Sequence, residues 1–578
     1  MKLVLSFAIA ALTAITLTAQ SESIRINQVA FYPQQSKIAV IEGSKAQKMT
    51  IKNTADGKRV GKAKALRTNT SPWSNKKRTI VEITGITAPG TYELSVNGQK
   101  TRFDVQPHAL NNIARAALKA FYLNRSGIAI DGKYAGVYAR PLGHPDTQVM
   151  IHPSAVSPGR PAGTIISSPL GWYDAGDYNK YIVNSSYSVG LMLMAYEQNK
   201  EYFNRLSADI PESGNGTADL LDELMFNLKW MISMQDPYDG GVYHKLTTPS
   251  FEDFVMPTDC HQQRYVVQKS VTASYDFAAV MALAARIYKG NKDYPAFAEQ
   301  AQKAALAAYH WAELNPEAVY DQDKMNKEFD PDVTTGTYGD NDASDEHLWA
   351  ATELFLLTGD EFFLKAAQPL RERGFSQPGW GNVTGLAMYS WITCGDDKTG
   401  MHDLMLNKLL GFCDHQLSTL KASSFNTPAG NHANDYGWGC LSECFCTSGL
   451  AHLYCYRATG DKKYLEAALQ NADYVLGRNA TGYCYVTGYG HKPTKNIHHR
   501  ISSADGIDAP MPGLLAGGPN PGQQDNGDGS LPYPSKQPDE SYIDVTGSYA
   551  SNEIAINWNA SLVSLLGWID AEMRKPTD

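Results

Sequence analysis

The chain has 578 residues, a formal net charge of −9, 43 % hydrophobic and 19 % charged residues, and eight cysteines. A negative surface offers little to a polyphosphate, which excludes a nucleic-acid partner, and the composition is that of a globular chain long enough for two or three domains with a sizeable core. The cysteines do not form a disulfide framework of the kind that holds small secreted domains together.

At the start of the chain, Lys2 precedes an apolar run from Leu3 to Leu17 broken only by Ser6, Thr13 and Thr16. This predicts a signal peptide over residues 1–19 with cleavage after Ala19, and so a secreted or periplasmic mature protein. No later stretch approaches the roughly 20 apolar residues of a spanning helix, so no membrane span is expected. No Cys follows the apolar run to accept a lipid.

Residues 22–106 read as a small β domain. Thr91 to Val96 and Thr101 to Gln106 alternate apolar and polar residues across Asn97-Gly98, the dipeptide that favours a tight hairpin turn. Lys37 to Ile41 and Thr79 to Ile83 have the same character, so a β-sandwich is expected. Its strands are charged and poor in aromatics, which suits a structural module better than a sugar-binding one.

From residue 108 to 578 the pattern turns helical. Three stretches, 285–290, 353–359 and 452–460, end in Gly, and each is followed by a second helical pattern near Tyr294, Phe362 and Tyr464. Glycine just past a helix end satisfies its last carbonyls, so each unit reads as an αα-hairpin and their repetition as a toroid of helix pairs. Further helical stretches at 109–124, 180–198, 217–234, 270–289, 404–420 and 553–573 bring the number to about twelve. That is enough for an (α/α)6 barrel.

Three segments carry residues with chemistry. Gly171 to Tyr181 places Asp174 and Asp177 three apart among Trp172, Tyr173, Tyr178 and Tyr181, just before a helical pattern. A helix N-terminus would hold carboxylates ionised, as a general base requires, although one such Asp could simply cap the helix. The second segment, Tyr542 to Ala560, contains Asp544, Tyr549 and Glu553, and Glu553 reads equally as an acid in the first turn of the last helix. The third is His498-His499-Arg500. Adjacent side chains diverge, so a sugar contact by one His is a better reading than a metal pair. Cys440, Cys444 and Cys446 match no standard zinc spacing and read as buried thiols.

Together, Asp174/Asp177, Ile497-His498-x-Arg500 and Tyr542-x-Asp544 with Tyr549-x3-Glu553-x-Ala555-x3-Asn559-Ala560 resemble glycoside hydrolase family nine, the inverting cellulases. The resemblance is to the subgroup with an immunoglobulin-like domain before an (α/α)6 barrel, and it covers nearly the whole mature chain. It implies endo-acting hydrolysis of β-1,4-glucosidic bonds in cellulose-like, xyloglucan or mixed-linkage glucans without a catalytic cofactor. Asp177 would be the base, Asp174 would help hold the attacking water and Glu553 would protonate the leaving oxygen. His498 and Arg500 would bind the sugar beside the scissile bond, and Asp544 would support Glu553.

An inverting pair must leave room for water, with carboxyls roughly 6.5–9.5 Å apart rather than about 5–5.5 Å. A helix N-terminus would lower the pKa of Glu553 where an acid needs it raised, so nearby Asp544, or burial against Tyr549 and Trp558, should oppose it. Trp172, Trp380, Trp391, Tyr436 and Trp438 are candidate sugar platforms, with Tyr549 a further contact. Asp340, Asp342, Asp345 and Glu346 form an acidic loop suited to calcium or, more plainly, to capping the helix that follows. Zinc, which relatives bind through Cys and His before the Asp pair, is not expected here, because Ser126 and Gly143 stand where Cys would be, leaving His144 and His152. Trp438-Gly-Cys440-Leu441 also departs from the family's Trp-Gly-Ser-Asn.

An exo-acting β-glucosidase or glucosaminidase on the same scaffold is the rival enzyme, and a blocked pocket rather than a groove would favour it. A non-catalytic carbohydrate-binding protein would lack the acid or base, and this chain has both. No motif specifies an oligomeric state.

Overall fold

The computed structural model describes residues 23–43, 45–394 and 397–574, so the expected signal peptide lies outside the described residues. Seven strands come first: β1 (Ile24–Arg25), β2 (Lys37–Glu42), β3 (Thr50–Asn53), β4 (Lys62–Thr70), β5 (Lys77–Thr84), β6 (Gly90–Val96) and β7 (Gln99–Val105). They form two antiparallel sheets, β1-β2-β5-β4 and β3-β6-β7, the layers of an immunoglobulin-like sandwich. Asn97 and Gly98 turn the β6–β7 hairpin with φ of 53° and 88°, which brings Val96 opposite Gln99. Alternation sends Tyr92, Leu94 and Val96 inward against Phe103 and Val105. Strand β2 does not alternate, because Ala39 and Ile41 face the sandwich interior while Ile38 and Val40 join the core of the helical domain. A strand covered on both faces has no polar side to show.

Twelve principal helices follow. Ile182–Gln198, Val271–Ile287, Ser344–Thr358, Thr384–Cys394, Thr447–Thr459 and Ile556–Met573 are the inner ones. Asn111–Leu123, Asp219–Ser233, Phe297–Leu314, Glu361–Ala367, Met401–Thr419 and Lys462–Val475 pack outside them. The first four inner helices pack in succession, and the last packs against both the first and Thr447–Thr459. Tyr389 and Tyr454, stacked at 3.9 Å, join the fourth to the fifth and complete the ring. Inner helices are apolar nearly all round, whereas outer ones keep a single buried stripe. Gly359 and Gly460 end their helices in the left-handed conformation, and Asp360 and Asp461 immediately cap the next. These are the αα-hairpins that the sequence pattern predicts.

Several boundaries shift by one to three residues from the sequence reading, and two of the shifts concern the site. The helix after the Asp pair starts at Ile182 rather than 180, and the last helix starts at Ile556 rather than 553. Glu553 is extended, with φ −71° and ψ 162°, between the short helix Tyr549–Asn552 and the last inner helix. It therefore lies outside the first helical turn.

Polar bonds hold the sandwich on the barrel. Tyr32 donates to Asp570 of the last helix at 2.6 Å, and Asn27 to Asp473 at 2.7 Å. Arg78, fully buried, pairs with the equally buried Asp539 at 2.8 Å and with Glu540 at 3.0 Å, while its guanidinium covers Phe425. Removing one partner of a buried pair leaves the other charge unsolvated. Arg78→Ala should therefore cost about 3–5 kcal/mol in chemical denaturation. A loss below about 1 kcal/mol, the ordinary size for an exposed pair, would show that this contact does not fasten the two domains.

Candidate active site

One cleft of about 600 Å³ collects residues from distant parts of the chain, among them Asp174, Asp177, Tyr181, Phe251, Tyr338, Trp380, Trp438, His498, Arg500, Tyr549 and Glu553. Its floor is the loop before the first inner helix. Short strands at 180–181, 245–247 and 265–266 pair beneath that loop and fix its path.

At Gly176 three segments converge. Its N–H donates to Glu553 Oε1 at 3.2 Å, and its carbonyl accepts from the Arg500 backbone at 3.1 Å and from Arg500 Nη1 at 2.8 Å. His498 and Glu553 lie side by side in a parallel bridge. The carbonyl of Asp174 accepts from Ile556 N at 2.8 Å, which joins the loop to the start of the last helix.

The three carboxylates have different surroundings. Asp177 Oδ2 accepts from Asn179 Nδ2 at 2.7 Å, Tyr181 Oη at 3.0 Å and Asn179 N at 3.3 Å. Asp174 accepts from Asn184 Nδ2 and Tyr338 Oη, each at 2.7 Å. Burial, and then the charge of Asp177, pushes the Asp174 carboxyl up to about 8. Glu553 is also raised to about 8, by burial first and then by Asp177 and Asp174, against the lowering effect of the Gly176 N–H and Arg500. The Asp pair lies five or more residues ahead of the helix and is held mainly by the side chains of Asn179, Tyr181, Asn184 and Tyr338, not by a helix terminus as the sequence suggested.

His498 Nδ1 lies 2.8 Å from the Thr546 carbonyl, so that nitrogen carries the proton and Nε2 is left as the acceptor. Burial lowers the pKa of His498 and favours the neutral ring. The Arg500 guanidinium also donates to the Glu252 carbonyl at 2.7 Å and lies over Phe251 and Phe254. Asp544 does not join this group. It accepts from Asn496 N at 2.7 Å, Lys495 N at 3.0 Å and Asn552 Nδ2 at 3.0 Å, so it organises the backbone on either side of His498 and Glu553. The expectation that Asp544 raises the Glu553 pKa gives way to burial and the Asp pair.

The aromatic residues divide. Trp380, Trp438 and Tyr549 line the cleft, and Trp438 and Tyr549 lie nearly parallel with centroids 5.9 Å apart. Trp172, Trp391 and Tyr436 are core residues. Trp172 packs on Phe121 and donates to Glu223, Trp391 donates to Thr352, and Tyr436 donates to the Gly430 carbonyl. Tyr338 and Phe251 were not anticipated as cleft residues, nor was Phe254 beside His498. Cys440, Cys444 and Cys446 are buried free thiols in and beside a π-helical turn, Leu441–Cys446.

The acidic loop and the histidines before the Asp pair also separate. Asp340 and Asp342 accept from backbone N–H groups within the loop, and Asp345 accepts from Val383 N at 2.6 Å. Glu346 is buried beside Asp276, and neither oxygen of either carboxylate has a protein partner. His152 is engaged by Ser154 and the Pro331 carbonyl. His144 instead lies with Glu252 and Cys260, their donor atoms all within 4.8 Å of one another.

The raised pKa of Glu553 has a measurable sign. Between its ordinary 4.5 and about 8, the folded chain keeps a proton that the unfolded chain releases. Folding stability is therefore lost as pH rises through that window. Glu553→Gln removes this penalty, so its melting temperature should exceed the parent's by several degrees at about pH 8 and converge with it near pH 4. A pH-independent difference would sink the assignment.

The sequence matches the profile of glycosyl hydrolase family 9 over residues 111–566 and that of the cellulase N-terminal ig-like domain over residues 19–101. It is 50 % identical over 573 residues to the xyloglucan-specific endo-β-1,4-glucanase BoGH9A of Bacteroides ovatus, covering 98 % of this chain and 97 % of that one. It is 31 % identical over 565 residues to endoglucanase D of Acetivibrio thermocellus, covering 95 % of this chain and 83 % of that one. The solved structure of a Bacteroides ovatus family 9 protein superimposes with a TM-score of 0.91 at 49 % identity, covering 95 % of this chain and 99 % of that one. With its sandwich, its ring of helix pairs and its cleft of three carboxylates, the chain belongs to glycosyl hydrolase family 9, for which no catalytic cofactor is expected.

Proposed function

We propose that this chain is an endo-acting β-1,4-glucanase that hydrolyses xyloglucan-type chains with inversion, Asp177 serving as base and Glu553 as acid. The observation that carries the mechanism is the contrast between two carboxylates in one cleft. Glu553 is buried and raised to about 8, so it holds a proton at neutral pH. Asp177 receives three hydrogen bonds on Oδ2, which fix its carboxyl in the same cleft. Water held against Asp177 gives up its proton as it attacks the anomeric carbon, while Glu553 protonates the departing glycosidic oxygen. Asp174, fixed by Asn184 and Tyr338, orients that water. His498 Nε2 and the Arg500 guanidinium hold the sugar, and Asp544 is a positioning residue that acts through backbone.

Endo action is supported by the named activities of the relatives and by the exposed aromatic rim of Phe251, Trp438 and Tyr549. Xyloglucan as substrate rests on the Bacteroides ovatus relative, whose identity spans both domains.

Asp177→Ala should lower kcat on xyloglucan by about 10³-fold or more, within reach of the usual contribution of acid–base groups. Glu553→Gln should lose as much on xyloglucan but far less on an aryl glycoside whose leaving group needs no proton. In the parent, kcat/KM should fall as pH rises through about 8, because Glu553 then loses the proton that it must donate. Proton NMR of a fresh digest should show the α-anomer first. An initial β-anomer would overturn inversion, and near-parental turnover by either variant would remove that residue from its role.

For the acidic loop we propose a structural calcium ion, a reading supported by Glu346 and its neighbour Asp276, which bury four carboxylate oxygens without a protein partner. Asp345 and Glu346 would hold the ion, which takes no part in the chemistry. Calcium added to chelator-treated protein should raise its melting temperature, and Glu346→Gln should abolish that response. No response in the parent would leave the buried acids to share protons instead.

A further inference from the structure

Ser250 to Cys260 forms one wall of the cleft, with Phe251 lining it and Phe254 against the edge of His498 at 5.1 Å. The wall has little regular structure of its own beyond the single turn Pro257–Asp259. Two contacts tie it to the catalytic loops: Tyr178 Oη donates to the Val255 carbonyl at 2.6 Å, and Arg500 Nε to the Glu252 carbonyl at 2.7 Å. Behind the aromatic face, the wall turns Glu252 and Cys260 towards His144.

These three side chains have unused bonding capacity. His144 is 9 % exposed, and its Nε2 is buried without a partner. Its Nδ1 lies 2.9 Å from the Tyr173 hydroxyl, which holds the ring beside Cys260 and Glu252; with Nδ1–H as the donor, Nε2 is free to bind a cation. Glu252 Oε1 is likewise buried without a partner. Cys260 Sγ has only a weak contact with the Met256 carbonyl at 3.7 Å. A partnerless imidazole nitrogen and carboxylate oxygen facing each other beside a thiol form a costly arrangement in the absence of a ligand.

The geometry points to a zinc site formed by His144 Nε2, Glu252 Oε1 and Cys260 Sγ, which fastens the cleft wall to the Asp174–Asp177 loop. The donor set is one that zinc accepts, with thiolate, imidazole and carboxylate together neutralising the ion. The donor atoms lie within 4.8 Å of one another, and a tetrahedral ion requires roughly 3.5 Å, so the side chains need to close by no more than about 1.3 Å on binding. The second nitrogen of His144 already has the supporting hydrogen bond that zinc-ligating histidines usually show. Three protein ligands leave the fourth position to water. The sequence excluded zinc because Ser126 and Gly143 supply no thiolate. Cys260, more than a hundred residues away in the chain, supplies one through the fold, and His152 takes no part. The site lies behind the wall and adds no step to hydrolysis.

The test uses the full-length mature protein, stripped with chelator and resupplied with calcium. With cobalt as the probe, the parent should bind one ion per chain and show a sulfur-to-metal charge-transfer band. Cys260→Ser should lose the band, and both Cys260→Ser and Glu252→Gln should lower zinc affinity at least tenfold in equilibrium dialysis. Zinc should also raise the parent's melting temperature and slow amide exchange across residues 250–260, and do neither in Cys260→Ser. Near-UV circular dichroism confirms that each variant is folded, and Glu252→Gln gives an independent reading should Cys260→Ser not fold. Absence of stoichiometric binding in the parent overturns the site. Binding that persists unchanged in both variants places the ion elsewhere and overturns it equally.

Discussion

A β-carbon at position 176 would stand 2.5 Å from the His498 carbonyl oxygen and 2.9 Å from Glu553 Oε1. Both separations are below van der Waals contact, so a side chain there would drive the loops apart. Only glycine lets the floor of the cleft approach its far wall closely enough for the Gly176 N–H to reach Glu553 and its carbonyl to reach Arg500. The spacing of Glu553 from the Asp174–Asp177 loop depends on this contact. Gly439 has a similar role on the rim, where a β-carbon would stand 2.1 Å from Trp558 Nε1. Trp438 owes its position to that close approach.

Closeness of this kind has an electrostatic cost. Asp174 and Glu553 are buried and repelled by Asp177, so the loops around them carry strain that other bonds must offset. The fold supplies those bonds at some distance from the chemistry. Asp544 gathers the backbone of 495–496 and the side chain of Asn552, and Arg264 and Lys180 close on the buried Asp146 beneath the Asp loop. Functional residues sit in an unfavourable setting because their neighbours are over-determined.

Much of the fold was legible in the sequence because it rests on local rules. Alternation across Asn97-Gly98 specifies a hairpin, and Gly359 and Gly460 stop helices wherever they pack. Three of the four motif acids, Asp174, Asp177 and Glu553, reach one cleft, while Asp544 binds the backbone beside it. The aromatics were not legible, since a Trp inside an inner helix and a Trp on a cleft rim have the same local sequence character. Trp172, Trp391 and Tyr436 went to the core for that reason. Phe251 and Phe254 lie in a stretch without periodicity, and only the fold brings it to Arg500. Glu553 was assigned to a helix because its neighbours favour one, yet the bridge to His498 holds it extended. The partners of His144 come from a separate loop, and spacing in the chain cannot register them.

The order in which these parts become available also matters. Tyr32 of the sandwich must find Asp570, and the first inner helix must find the last, so the ring closes only once residues 556–573 are available. Domains generally fold from the N-terminus as they emerge from the ribosome, and here the sandwich and most helix pairs can form while one gap in the ring stays open. Glu553 and the helix after it are the pieces that fill the gap. A chain cut short of residue 553 therefore has Asp174 and Asp177 without Glu553. It also lacks the helix Ile556–Met573 that packs against both the first and the fifth inner helices, so the faces those two bury against it stay open.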